Sequence, residues 1–127
     1  MRRYQAVLRD ILKYESDKSI PDGSFIIVGE RLPNKVWRVR NIGASTWREG
    51  YRLTFFSGER FGAPPYVPLP NLAPGESGLV VISGLIAPEQ TGVFSAEWRP
   101  CRPDGTPFPA HLTINVHVLP VPAGEAK

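Results

Sequence analysis

Val36-Trp37-Arg38-Val39-Arg40-Asn41 is the stretch that decides the fold. In a strand, side chains alternate between two faces, so Trp37, Val39 and Asn41 share one side and Val36, Arg38 and Arg40 the other. A period of two with an indole on the apolar side reads as a half-buried β-strand. Two more tryptophans sit in comparable settings: Trp47 in Ser45-Thr46-Trp47-Arg48-Glu49-Gly50, and Trp98 in Ser95-Ala96-Glu97-Trp98-Arg99-Pro100. Trp98 aligns with Phe94 and Ala96 in a second alternating run. Indoles from facing strands pin two sheets together. Trp47, in the turn after the first strand, either covers one end of such a sandwich or faces a partner.

Working outward, apolar or alternating runs recur at Ser24–Val28, Tyr51–Phe56, Gly78–Ile86, Val93–Arg99 and Leu112–Val118. Leu112, Ile114, Val116 and Val118 share the inward side of the last run. Proline–glycine and aspartate–glycine turns punctuate the chain at Pro21-Asp22-Gly23, Pro74-Gly75 and Asp104-Gly105. Four prolines between Pro64 and Pro70 keep that segment out of a sheet centre, so it is expected to run extended along an edge. The pattern predicts an all-β antiparallel sandwich of about seven to nine strands. The expected core is Trp37, Val39, Trp98, Leu112 and Ile114.

Residues 1–13 carry a helical period. Tyr4, Val7, Leu8, Ile11 and Leu12 form one stripe, and Arg2, Arg3, Gln5, Arg9, Asp10 and Lys13 cover the other side. The expectation is a short N-terminal amphipathic helix or extension over 1–13, docked on its own sandwich, a second copy or another protein. A domain over 14–119 and a flexible tail over 120–127 complete the layout.

Composition fits a soluble single domain: 127 residues, 42% hydrophobic and 21% charged. The net charge of +3 comes from scattered arginines, which argues against nucleic acid as the partner. The helical stripe is too short and mixed in charge for a membrane surface, and no apolar run suits a span. With Cys101 as the single cysteine and no apolar signal region, the expected setting is reducing and cytoplasmic.

Candidates for chemistry are sparse, and the reading is non-enzymatic, with no cofactor and no metal. Cys101 has no histidine near it in sequence. His111 and His117 lie on one strand face, about 20 Å apart at ~3.3 Å per residue, too far to share an ion. Asp17, Asp22 and Asp104 fall in turns and read as backbone caps. Glu49 and Glu59 could face each other across a loop pair, as paired carboxylates for glycoside chemistry would, but the sequence shows no substrate cleft. For binding, the aromatic and arginine types that dominate interfaces single out Trp47, Arg48, Phe61 and Tyr66 as a protein-binding patch. Arg38 and Arg40 offer a second surface, either solvated or gripping an acidic partner.

The order of motifs resembles the four-tryptophan domain, the immunoglobulin-like central domain of the Next-to-BRCA-One autophagy cargo receptors and of many prokaryotic proteins. The parts are Ile20-Pro21-Asp22-Gly23, Trp37-Arg38-Val39-Arg40-Asn41 with Gly43 and Trp47, Leu72-Ala73-Pro74-Gly75-Glu76, Ala87-Pro88 with Gly92, Trp98-Arg99, and Asp104-Gly105-Thr106-Pro107-Phe108. The resemblance covers about residues 14–118. The family's fourth tryptophan would fall near Thr113. The resemblance implies an immunoglobulin-like sandwich acting as a non-catalytic protein–protein interaction module. The alternatives are a structural part that self-associates through the helix at 1–13, possible homo-oligomers included, and a carbohydrate-binding sandwich with an exposed aromatic platform.

Overall fold

A computed structural model describes residues 9–123. Among them are eight strands: β1 (Leu12–Asp17), β2 (Ser24–Ile27), β3 (Lys35–Asn41), β4 (Arg52–Gly58), β5 (Tyr66–Pro68), β6 (Ser77–Ile82), β7 (Gly92–Cys101) and β8 (Leu112–Leu119). They form a three-stranded sheet, β1-β3-β6, facing a five-stranded sheet, β2-β8-β7-β4-β5. All pairings are antiparallel except β2 with β8.

The alternation read in β3 is the alternation found: Trp37, Val39 and Asn41 are buried, while Arg38 faces out. Trp37 comes from the small sheet and Trp98 from the large one, and both are fully buried between them. Val39, Leu112 and Ile114 join them in the same core. The proline-rich segment contributes only β5, three residues on the outer edge of the large sheet. That placement comes from chemistry, because proline has no N–H to give a neighbouring strand.

One expectation is corrected. The chain from Arg9 to Lys13 is not helical; Leu12 opens β1, which pairs with β3. Residues 1–8, the rest of the expected helix, lie outside the described residues, as do 124–127 of the expected tail. Backbone hydrogen bonding overrides the helical spacing. The Arg9 carbonyl accepts from Ala44 and Ser45, the Ile11 carbonyl from Ile42, and Leu12 exchanges bonds with Pro109 and Ala110. Gly43 permits this approach, since a Cβ there would collide with the Arg9 carbonyl oxygen. A domain boundary at residue 14 therefore cuts through β1.

Two buried polar groups fasten the ends. Asp10 is fully buried and accepts from the Tyr51 hydroxyl and from Arg102 Nε, tying the start of β1 to β4 and to the hairpin after β7. Burial and the Asp10 carboxylate push the Tyr51 phenol above its ordinary pKa. At the other end, Lys35 is fully buried and all three ammonium donors are used. It donates to Asp17 at 2.8 Å, to the Ser19 carbonyl at 3.0 Å and to the Ile20 carbonyl at 2.8 Å. Asp17 is thus the last residue of β1 and an ion-pair partner, not a turn cap. Asp104 does cap its turn, accepting from the Thr106 amide, while Asp22 accepts from the Asn115 side chain.

Candidate functional site

The sequence singled out Trp47, Arg48, Phe61 and Tyr66, and the structure does not gather them. Trp47 is fully buried, its amide donating to Leu72 and its ring against Phe108 at 5.9 Å. It covers the sandwich end. Phe61 is 1% exposed and sits in a left-handed conformation (φ 55°) with its ring in the core. Both are corrected as partner contacts, because an indole or benzyl group this buried presents nothing to a second molecule. Arg48 is exposed but lies near Tyr51, at the Asp10 end. Tyr66, half exposed on β5, is the one that leads to a surface.

That surface is the outward face of the large sheet. Register places Thr54 of β4 directly opposite Tyr66 of β5 and opposite Arg99 of β7, so Tyr66, Thr54 and Arg99 form one row across three strands. Two guanidinium–aromatic stacks flank it. Arg52 lies 4.7 Å from the centre of the Tyr66 ring, and Arg99 lies 3.5 Å from the centre of Phe56. Such stacks hold a flexible arginine in place while leaving N–H donors outward. Phe56 is itself half exposed, beside an irregularity in the β4–β7 pairing between Phe55 and Ser57. Arg99 also donates to Glu97 at 2.9 Å.

Shallow hollows surround this row. One of about 210 Å³ lies among Thr54, Phe56, Arg99, Cys101 and Pro107. A second of about 370 Å³ also borders Arg99, against Phe108, Pro109 and His111. A third of about 280 Å³ lies by Glu49, Arg52, Tyr66 and Pro68. Arg99 therefore borders two of these depressions, and both are open and shallow rather than enclosed.

The remaining candidates have structural partners. Arg38 and Arg40 both donate to Glu15 of β1, so much of that face is satisfied within the chain. Arg40, Ser77 and Arg38 hold the Glu15 carboxyl below the usual glutamate range. Glu59 accepts from the Phe61 amide, and Glu49 lines the Tyr66 hollow. His117 stacks on Phe25 at 5.2 Å, and His111 is exposed. Among the described residues no cluster of metal-ligating side chains occurs, and no helix is long and apolar enough to cross a membrane. Thr113 lines a separate recess of about 260 Å³ with Tyr14, Asp22 and Trp37, and its carbonyl accepts from the Trp37 indole at 3.3 Å.

The family described as the Ig-like domain from next to BRCA1 gene matches residues 19–118. The chain belongs to this family. It is 29% identical over 110 residues to the Protein NBR1 homolog of Arabidopsis thaliana, covering 84% of this chain and 15% of that protein. Against Protein ILRUN of Danio rerio it is 30% identical over 82 residues, 61% of this chain and 29% of that one. Against Protein JOKA2 of Solanum tuberosum it is 26% identical over 110 residues, 84% of this chain and 12% of that one. The chain thus spans less than a third of the length of each of these relatives.

Phe56 and Arg99 escaped the sequence reading as a pair. They are 43 positions apart and meet only through the β4–β7 register. A signal existed: alternation puts Phe56 on the face away from Leu53 and Phe55, so a bulky apolar group was already due on the outward side.

Proposed function

We propose that this domain is a non-catalytic protein–protein interaction module, and that it binds its partner through the outward face of the large sheet around Phe56, Tyr66, Arg52 and Arg99. The observation that carries the reading is the pair of guanidinium–aromatic stacks flanking one cross-strand row, with half-exposed rings and shallow hollows on either side. Arginine and aromatic anchors on a preformed sheet bind with little ordering cost. Membership in a family with an NBR1 homologue among its relatives supports the same class of function.

The carbohydrate alternative is less favoured on this face, because an arginine already lies over one face of the Tyr66 ring and of the Phe56 ring, where a sugar would stack. The self-association alternative rested on a helix whose described part, Arg9 to Lys13, is not helical and ends in the first two residues of β1.

The test is quantitative affinity capture with wild type, Phe56→Ala, Arg99→Ala, Tyr66→Ala and the distant surface control Ile42→Ser, with circular dichroism confirming each fold. A protein retained by wild type and Ile42→Ser but lost from the three face variants supports the assignment. Identical captured sets from all five refute it.

A further inference from the structure

A two-sheet sandwich has four edge strands, here β1, β6, β2 and β5. Exposed edges are templates for unwanted pairing, and proteins blunt them with charge, proline, bulges or shortness. Three of the four obey that rule. β1 carries Lys13, Glu15 and Asp17 and has a register irregularity between Tyr14 and Ser16. β5 is three residues long and hemmed by Pro65, Pro68 and Pro70. β2 is four residues long, preceded by the Pro21 turn.

β6 breaks the rule. Ser77-Gly78-Leu79-Val80-Val81-Ile82 has no charge and no proline, is rich in strand-forming residues, and pairs with β3 without irregularity. Among the described residues, no backbone hydrogen bond joins it to any element but β3. In an antiparallel pair alternate residues turn both N–H and C=O away from the partner, so the far side of β6 offers a ladder about 20 Å long at ~3.4 Å per residue. Leu79 and Val81 stand about half exposed on its outer face.

The geometry points to β6 as a strand-addition site for an extended peptide segment of a partner protein. The neighbouring rows specify its chemistry. Leu79 lies opposite Arg38, Val81 opposite Val36, and Ser77 opposite Arg40. A segment running antiparallel to β6 would place successive outer-face residues against Val81, Leu79 and Ser77. The first two positions take apolar β-branched side chains. The third lies toward Arg40, and the two guanidiniums of Arg38 and Arg40 outnumber the single Glu15 carboxylate, which also accepts from the Ser77 hydroxyl, so this cluster carries net positive charge. The motif is apolar-x-apolar-x-glutamate. A second copy paired β6 to β6 has no carboxylate within the paired strand, and six residues of edge fall far short of the roughly 800 Å² per partner of stable complexes. The site is independent of the outward face of the large sheet.

The probe is an acetylated, amidated peptide, Thr-Val-Thr-Val-Thr-Glu-Thr. Its control, Thr-Val-Pro-Pro-Thr-Glu-Thr, loses one ladder N–H whichever alternate set of residues faces β6. Amide hydrogen exchange by NMR reads residues 77–82 in the intact chain with millimolar peptide. The expected result is new protection at alternate β6 amides, none with the proline peptide, and binding at least about tenfold weaker in Leu79→Lys or Val81→Lys, which put a charge on the edge. Phe56→Ala and Arg99→Ala should bind it as wild type does, so failure here is separable from failure of the large-sheet surface. No new protection, or equal protection from the proline peptide, overturns the proposal. So does concentration-dependent protection of 77–82 in the free chain, which would make a second copy the occupant.

Discussion

Lys35→Met tests the most consequential buried contact in the molecule. The substitution keeps the volume and the apolar stem that lies against Trp37, with the ammonium 5.2 Å from that ring, and removes only the charge. Three acceptors lose their donor: the Asp17 carboxylate and the Ser19 and Ile20 carbonyls. Removing one member of a buried ion pair costs about 3–5 kcal/mol, because the partner is left uncompensated. Two features reduce this toward the lower figure. The Asp17 side chain keeps 13% of its exposure, so water reaches it, and the Tyr14 hydroxyl still donates to it at 3.0 Å. The expected loss is therefore about 3 kcal/mol, or about 10 °C in midpoint for a domain of this size. The assay is denaturant unfolding followed by fluorescence of the three buried tryptophans. Adding Asp17→Asn to Lys35→Met removes the stranded charge, so the double variant should lose less than the sum of the singles by at least about 1 kcal/mol. A loss below about 1 kcal/mol for Lys35→Met, or additivity within about 0.5 kcal/mol, would refute the reasoning.

Gly43→Ala should unseat the Arg9–Leu12 segment, since its Cβ would run into the Arg9 backbone, and a thermal midpoint within a degree or so of wild type would contradict that packing. Deleting residues 1–13 removes Asp10 and Leu12 and should leave a domain with a clearly lower calorimetric midpoint; equal stability would show that the Asp10 contacts to Tyr51 and Arg102 contribute little. Thr54→Val replaces a buried hydroxyl that has no protein partner, and should be neutral or stabilising by up to about 1 kcal/mol in urea unfolding; a loss larger than that would mean the hydroxyl is satisfied after all. Glu15 has a lowered pKa in the folded state, so its contribution is full above the usual glutamate range near 4.5 and is lost as pH falls through the folded value. Glu15→Gln should accordingly flatten the acid limb of a stability–pH profile below about pH 4.5, and an unchanged limb would count against the Arg38–Glu15–Arg40 pairing.

The strands that alternate cleanly were legible because burial and period coincide in them. β3, β4, β7 and β8 each put their predicted residues inward. β1 was misread for a physical reason. Tyr4 to Leu12 satisfies a helical spacing, and Leu-Lys-Tyr-Glu-Ser-Asp is too polar to announce a strand. The features that make it one lie elsewhere in the chain: the edge of β3, the guanidiniums of Arg38 and Arg40, and the Lys35 ammonium. Extending the Trp37 alternation back by two residues puts Lys35 in the core, but its three acceptors come from a segment 15–18 positions away and carry no local mark. The proposed binding surface was half legible. Tyr66 stands out among prolines that forbid its burial in a sheet centre. Trp47 and Phe61 look identical to surface anchors until the loops carrying them fold inward.

The first and last strands have a mechanical consequence. Arg9–Leu12 is bonded beside Pro109 and Ala110, just before β8, whereas Leu119 closes β8 beside Val28. The chain therefore enters and leaves this domain at opposite poles, about 25 Å apart by the length of β8 at ~3.3 Å per residue. Tension applied through flanking segments would run along the strands. β8, bonded to β2 on one side and β7 on the other, would be loaded in shear, with its hydrogen bonds resisting together rather than opening one at a time. Placed in a longer protein under tension, this domain would transmit force along its axis and hold the segments on its two sides apart, like a rigid link in a chain.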